Sequence, residues 1–407
     1  MEYKILDIGR LIMKQHNLKK ILAFLAGIAV LTISILTPNS YAAASITSNK
    51  TAAETIIDMG IGWNLGNTLE ACDTTRTLPN VQAYETYWGN IVTTQAIIDG
   101  VKAAGFNSVR IPVAWSNLIA SDYTINKDLM KRVKEVVDYC SNAGMYAIVN
   151  IHWDGGWFSN FATNYDESMK KYTSIWTQIS NYFKDYPNNL IFESLNEEGA
   201  WDNVWNRWSG TPADGKTKVY NTLNNINQKF VNIVRASGGN NATRCLLIAG
   251  YGTEIDLTCD SYFKMPQDTV SSKLMISVHY YTPSTFTILE SDADWGKSAY
   301  TWGISTEINL VKTDFQKMKT KFADKGIPVI VGEYGSTKVN KDQNSVRLYL
   351  TTVCKTARDM GFCPMLWDPG THFSRSNIKF TDSQLAAFFL QYKSATPTIK
   401  VGDKMIV

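Results

Sequence analysis

Eight short apolar segments, separated by stretches of helical periodicity, constrain this chain more than any other feature. They are Ile61–Asn64, Ser108–Val113, Tyr146–His152, Leu190–Asn196, Cys245–Gly250, Leu274–His279, Pro328–Glu333 and Pro364–Asp368. Each is rich in β-branched or large apolar residues and bounded by Gly, Pro, Asn or Asp, the signature of a strand. The run Ala147-Ile-Val-Asn-Ile151 is almost continuously apolar, which suits parallel sheet buried on both faces. Thr93–Ala104 carries Ala96, Ile97, Val101 and Ala104 near the helical period and stops at Gly105. Lys127–Ala143, Lys216–Ala236 and Ile304–Lys325 repeat that design. The alternation predicts an α/β fold, a (β/α)8 TIM barrel with enlarged loops. An open doubly wound sheet would instead carry a glycine-rich phosphate turn after its first strand. Gly62-Trp-Asn-Leu-Gly66 lacks the third glycine of that turn and is crowded by bulky residues.

The N-terminus reads as an address rather than as fold. Lys14, Lys19 and Lys20 precede an apolar run from Ile21 to about Thr37, then Pro38 and Ser40-Tyr-Ala-Ala-Ala44. A basic region, an apolar core and a small-residue cleavage site predict a secretory signal peptide over 1–42 and an extracellular protein. The apolar run is shorter than the ~20 residues a membrane span needs, so no membrane association is expected after cleavage. Residues 43–407 are expected to form one catalytic domain, since no linker, repeat or appended module is visible. The leader holds the whole formal charge of +3, so the remainder is near neutral. Neutrality removes any bulk electrostatic case for nucleic acid. The six cysteines form no CxxC pair, which argues against a zinc ribbon or redox motif. Cys140 and Cys354, both in helical patterns, are expected to be buried free thiols.

In a barrel the carboxyl ends of the strands converge on one face, where catalytic groups are displayed. Strand two ends at Arg110-Ile-Pro-Val113, strand three at His152-Trp153-Asp154 and strand four at Asn196-Glu197. Strand six gives His279-Tyr-Tyr281, strand seven Glu333, and strand eight Trp367-Asp368. Two of only four histidines, His152 and His279, therefore fall at strand ends beside two carboxylates. A pair of carboxylates is what glycosidic bond cleavage needs, one as acid/base and one as nucleophile. Arg110 can hold a neighbouring carboxylate ionised. Tyr281 can donate to one nucleophile oxygen and leave the other free. Asn196 can bond a sugar 2-hydroxyl, and His152 and His279 can orient hydroxyls or tune the acid.

These residues resemble glycoside hydrolase family five, the large retaining cellulase family. The resemblance runs from about Gly60 to Phe389. It rests on Gly62-Trp-Asn-Leu-Gly-Asn67, Trp88-Gly-Asn90, Gly105-Phe-Asn-Ser-Val-Arg-Ile-Pro-Val113, Asn150-Ile-His152, Leu195-Asn-Glu197, His279-Tyr-Tyr281, Val331-Gly-Glu333 and Leu366-Trp367. It implies Glu197 as acid/base and Glu333 as nucleophile, surrounded by Arg110, His152, Asn196, His279, Tyr281 and Trp367. The implied activity is a retaining endo-β-1,4-glucanase; xyloglucan, mixed-linkage β-glucan or mannan remain alternative polymers. No cofactor and no metal are implied, and a monomer is expected. The chain departs from the family pattern at Glu198, where many members carry proline, and at Trp153, where relatives often have a second histidine.

Trp367, Trp153, Trp157 and Asn64 are the expected substrate contacts. Trp115, Trp201, Trp205, Trp208, Trp295 and Trp302 also follow strands on the active face, and about half of these aromatics are expected to touch sugar. Trp205 and Trp208, three apart, could equally form one face of a core-packing helix. A metal-dependent barrel would want His-x-His on strand one, but strand one here ends in Asn64. A non-catalytic glycan-binding barrel could dispense with one of the two glutamates, yet both are present.

Overall fold

The structure, a computed structural model, describes residues 49–199, 201–393, 400–401 and 404–405. The expected leader, 1–42, lies outside the described residues. All eight expected strands form: β1 (Gly62–Leu65), β2 (Ser108–Ile111), β3 (Tyr146–Val149), β4 (Leu190–Glu193), β5 (Leu246–Ala249), β6 (Leu274–Tyr280), β7 (Val329–Tyr334) and β8 (Cys363–Asp368). They pair in parallel in sequence order, and β1 closes the barrel on β8. The four expected helices appear at Gln95–Ala103, Lys127–Asn142, Ala213–Ala236 and Ser305–Lys321. Further crossovers run through Tyr165–Phe183 and Gln343–Asp359, and a single short turn, Ile255–Thr258, follows β5. Among the described residues no helix is long and apolar enough to cross a membrane.

Strand alternation divides the core in two. Ala147 and Val149 on β3, and Leu190 and Phe192 on β4, face the helices in the larger cluster. Ile148, Ile191, Leu247, Met275, Ile330 and Met365 fill the barrel interior. Ala52, Ile56 and Met59 join that interior cluster from the helix Ala52–Met59. Thr51 caps this helix, accepting from the Glu54 amide at 3.2 Å while Glu54 accepts from the Thr51 amide at 2.8 Å. Such a cap is worth about 1 kcal/mol.

Counting two residues onward from the apolar layer gives the next interior layer, and it is polar. Ile191 leads to Glu193, Met275 to Ser277, and Ile148 to Asn150; Ser108 likewise leads to Arg110. On β7 the count is interrupted. The register against β6 shifts, so that Val278 pairs with Val331 but His279 pairs with Glu333. Gly332 is the extra residue of this bulge, which re-aims Glu333 toward the barrel axis. Only glycine fits there: a Cβ would sit 2.7 Å from Ser277 Oγ and 3.2 Å from His279 Nε2.

All six cysteines are free thiols, and Cys140 and Cys354 are fully buried, as expected.

Candidate active site

Arg110 organises the polar layer. Its guanidinium is fully buried, and four groups meet it: Asn64 from β1, Glu193 from β4, Asn196 just past β4 and Glu333 from β7. Nε donates to Glu193 Oε2 at 2.6 Å, and Nη1 to Glu333 Oε1 at 2.7 Å and Asn64 Oδ1 at 3.1 Å. Nη2 donates to Asn196 Oδ1 at 2.9 Å. Because guanidinium only donates, the Asn196 oxygen must face it, which turns the Asn196 NH2 toward the cleft. Burial opposes the charge on Arg110, but Glu193 and Glu333 outweigh it and raise its pKa.

Glu193 is the residue that the sequence reading missed. It is fully buried and also accepts from Asn150 Nδ2 at 3.0 Å and Ser277 Oγ at 2.8 Å. Its signal was present, since Glu193 stands two residues after inward-facing Ile191.

Glu333 accepts from Tyr281 Oη at 2.9 Å through Oε2. The expectation that one of its oxygens would be free is corrected, because Arg110 holds Oε1. Each carboxylate oxygen has a second lone pair, so both stay able to attack. His279 Nδ1 stands 2.7 Å from Glu197 Oε1 and 3.6 Å from Glu333 Oε2. Facing acceptors, Nδ1 must carry the proton, and the buried Nε2 has no partner among the described residues. One ligating atom each of Glu197, His279 and Glu333 lies within 4.8 Å of the others. His152 packs its ring parallel to Trp367, 5.6 Å between centroids. Burial first, then the charges of Arg110 and His279, hold His152 well below its usual pKa, so it is neutral. Trp367 itself is half-buried, and Gly66 lets it lie flat: a Cβ there would be 3.1 Å from the indole.

The two carboxyls differ in surroundings. Burial raises the pKa of Glu333 from its usual value despite His279 and Arg110. Burial also pushes Glu197 up, but the His279 hydrogen bond and the charges of His279 and Arg110 outweigh it, leaving Glu197 lowered. That order is opposite to a neutral acid beside an ionised nucleophile. Its physical reason is the His279 Nδ1 contact at 2.7 Å, which favours the charged form of Glu197.

Three expected sugar contacts sort differently. Trp153, 44% exposed at the end of β3, offers an open ring. Trp157 does not: it is buried against Phe158, donates to Asp154 Oδ2 at 2.6 Å and has the Lys171 ammonium 4.4 Å from its ring. Asn64 is fully buried, and its amide donates to the Gly332, Met365 and Leu366 carbonyls. Both are corrected to supporting positions, because neither has surface to offer a ligand. Among the other aromatics, Trp115, Trp201, Trp205 and Trp302 are core, while Trp208 and Trp295 are exposed. No helix carries Trp205 and Trp208.

Burial raises the pKa of several acids near the mouth. Burial raises Glu70 to about 7, against the amides of Thr68 and Asn67. Burial raises Asp154 to about 6, against Lys171 and Ser116. Burial, then the charges of Glu197 and Asp154, raise Glu198 to about 8. Such groups bind a proton when folded that they release on unfolding, so stability falls as pH rises through the folded pKa. Below about pH 6.5 the buried neutral His152 and His372 act in the opposite sense. Calorimetry should therefore show Tm falling between about pH 6.5 and 8, with Glu198→Gln flattening that slope. A Tm that rises across this window would contradict the assignment.

The profile described as Cellulase (glycosyl hydrolase family 5) matches residues 70–372. Endoglucanase A of Paenibacillus barcinonensis is 36% identical, over 90% of this chain and 97% of that protein. A glycoside hydrolase 5 lichenase from Caldicellulosiruptor sp. F32, a mutant in complex with cellotetraose, superposes with a TM-score of 0.78. It shares 32% identity, over 85% of this chain and 96% of that one. A Bacteroides ovatus GH5 xyloglucanase in complex with a XXXG heptasaccharide gives a TM-score of 0.75 at 29% identity, over 86% and 78% of the two chains.

Proposed function

The chain belongs to glycosyl hydrolase family 5, and from that premise we propose a secreted, monomeric, retaining endo-β-1,4-glucanase. The observation that carries the mechanism is the spacing of Glu197 and Glu333, whose nearest ligating oxygens lie within 4.8 Å. Retaining enzymes hold their carboxyls ~5–5.5 Å apart, whereas inverting ones leave ~6.5–9.5 Å for a water. Secretion is supported by the leader signature, and the glucan by the similarity to Endoglucanase A.

In the reading proposed, Glu333 attacks the anomeric carbon while Glu197 protonates the departing oxygen. The C–O bond to the leaving sugar breaks as the ester to Glu333 forms. Glu197, now ionised, takes a proton from water, and the resulting hydroxide equivalent releases the sugar from Glu333. Arg110 and Tyr281 stabilise carboxylate charge on Glu333 before attack and after release. Glu197 becomes an acid when a sugar covers it, since losing its water raises its pKa. His279 Nδ1–H lies within reach of both carboxyls and can shift its hydrogen bond as they exchange charge. The Asn196 NH2, fixed by Arg110, can bond the 2-hydroxyl, a contact that strengthens in an oxocarbenium-like transition state.

A second reading keeps the mechanism and changes the polymer to mixed-linkage β-glucan or xyloglucan. It is favoured by the structural likeness to the lichenase and the xyloglucanase. Reducing-end release on carboxymethyl cellulose, mixed-linkage β-glucan, xyloglucan and mannan separates the two. Proton NMR of the first product should show the β anomer before mutarotation. An initial α anomer, or no release from any glucan, would overturn the proposal.

A further inference from the structure

Three consecutive residues after β3 take left-handed backbone angles: Asp154 at φ +51°, Gly155 at +74° and Gly156 at +73°. Glycine adopts such angles freely, and aspartate is among the few other residues that accept them. The turn follows Trp153 directly, and the Gly156 amide donates back to the Trp153 carbonyl at 2.9 Å. It folds Gly156 against the indole, where a Cβ would lie 3.4 Å from Trp153 Cζ2. Trp153 therefore stands where this turn puts it, with its ring still exposed.

Asp154 holds the turn from inside. It is 2% exposed, and its carboxyl faces three donors. Oδ1 accepts from the Ser116 amide at 2.6 Å, and Oδ2 from Ser116 Oγ at 2.8 Å and Trp157 Nε1 at 2.6 Å. Ser116 belongs to the turn after β2, Trp115–Leu118, so the carboxylate ties two barrel loops together. Such a set of donors calls for the ionised acid, because a proton would make one acceptor a donor. Burying that charge costs stability as pH rises from the usual aspartate range to about 6. Asparagine would accept the same backbone angle without that cost.

We propose that Asp154 is a positioning residue for the substrate: its carboxylate pins the left-handed turn that presents the Trp153 ring to the glucan. The inference rests on Trp153 being a sugar contact and adds the group that keeps it in place. A ring set before binding loses little freedom on binding. As pH falls through about 6, Asp154 takes up a proton, one donor loses its acceptor and the turn loosens. The ionisable groups facing Asp154 are Lys171 on helix Tyr165–Phe183, Glu198 beyond β4 and Cys72 beyond β1. Burial raises Glu198 to about 8 and raises the Cys72 thiol from its usual value, so both titrate above Asp154. Burial lowers Lys171, and the charge of Asp154 opposes that.

Kinetics on a soluble β-glucan test it. Trp153→Ala and Asp154→Asn should each raise KM about fivefold and leave kcat within about twofold. The double variant should be no worse than Trp153→Ala, because both changes act through one ring. Wild-type KM should rise severalfold as pH falls from about 7 to about 5. Trp153→Ala keeps Glu197 and Glu333, and its KM should stay flat over that range. This comparison needs no change at Asp154, so it decides even where Asp154→Asn folds poorly. Additive losses in KM, a loss of kcat with KM unchanged, or equal pH slopes in wild type and Trp153→Ala would overturn the positioning role. An unchanged KM in Trp153→Ala would instead refute Trp153 as a sugar contact, and the inference with it. Wild-type protein inactive on the glucan would refute the glucanase reading and the inference together.

Discussion

Glu333→Ala is expected to lower turnover of β-glucan by roughly 10⁴-fold or more, the scale on which loss of a covalent nucleophile acts. The fold should survive, because Arg110 keeps Glu193 as its buried counter-charge at 2.6 Å. Added azide tests the role as well as the importance. In the Glu333 variant, azide can enter the vacated space beside Arg110 and attack from the face the carboxylate occupied. The product is then an α-glycosyl azide. Glu197→Ala leaves the nucleophile intact, so an aryl glycoside with a good leaving group still forms the ester. Azide then attacks from the opposite face and gives the β-glycosyl azide. Swapped azide anomers would exchange the two roles, and near-normal turnover by Glu333→Ala would remove it from the chemistry.

Arg110→Met should cause the largest loss of stability. It strips the guanidinium that bridges Glu193 and Glu333, which are buried at 0% and 5% exposure. Leaving such charges uncompensated costs about 3–5 kcal/mol, enough to lower Tm by several degrees. Activity should fall too, since Asn196 loses the donor that orients its amide and Glu333 loses an ionising neighbour. Arg110→Lys keeps the charge but not the planar fork that reaches four partners, so it should recover only part of both. The double change Arg110→Met with Glu193→Gln should regain stability without regaining activity. Calorimetry and kinetics on the set decide this; an Arg110→Met protein as stable as the wild type would mean the buried triad carries no such strain.

How much was legible varies residue by residue. Arg110, Asn196, Glu197, His279, Tyr281 and Glu333 were visible because barrel strands end in step, so adjacency in space follows from position along each strand. Glu193 was passed over because it lies inside the expected segment Leu190–Asn196, while only the segment's end was read as displaying site residues. Asn64 was misjudged for the related reason that a strand-end amide looks accessible until the carbonyls of β7 and β8 close around it. The tryptophans were ambiguous for another cause. Trp157, Trp201 and Trp205 have the same side chain as Trp208, and only their neighbours decide which rings are covered.

The sequence alone determined the barrel and the convergence of its strand ends, because both follow from local periodicity: two residues per strand repeat, and 3.6 per helical turn. Tertiary structure decided what depends on contacts between distant segments. The β7 bulge at Gly332 aims Glu333 at Arg110, and Glu193 arrives from the fourth strand to balance the charge. Closure of eight strands into a ring brings these groups within hydrogen-bond reach, and no local pattern encodes that distance.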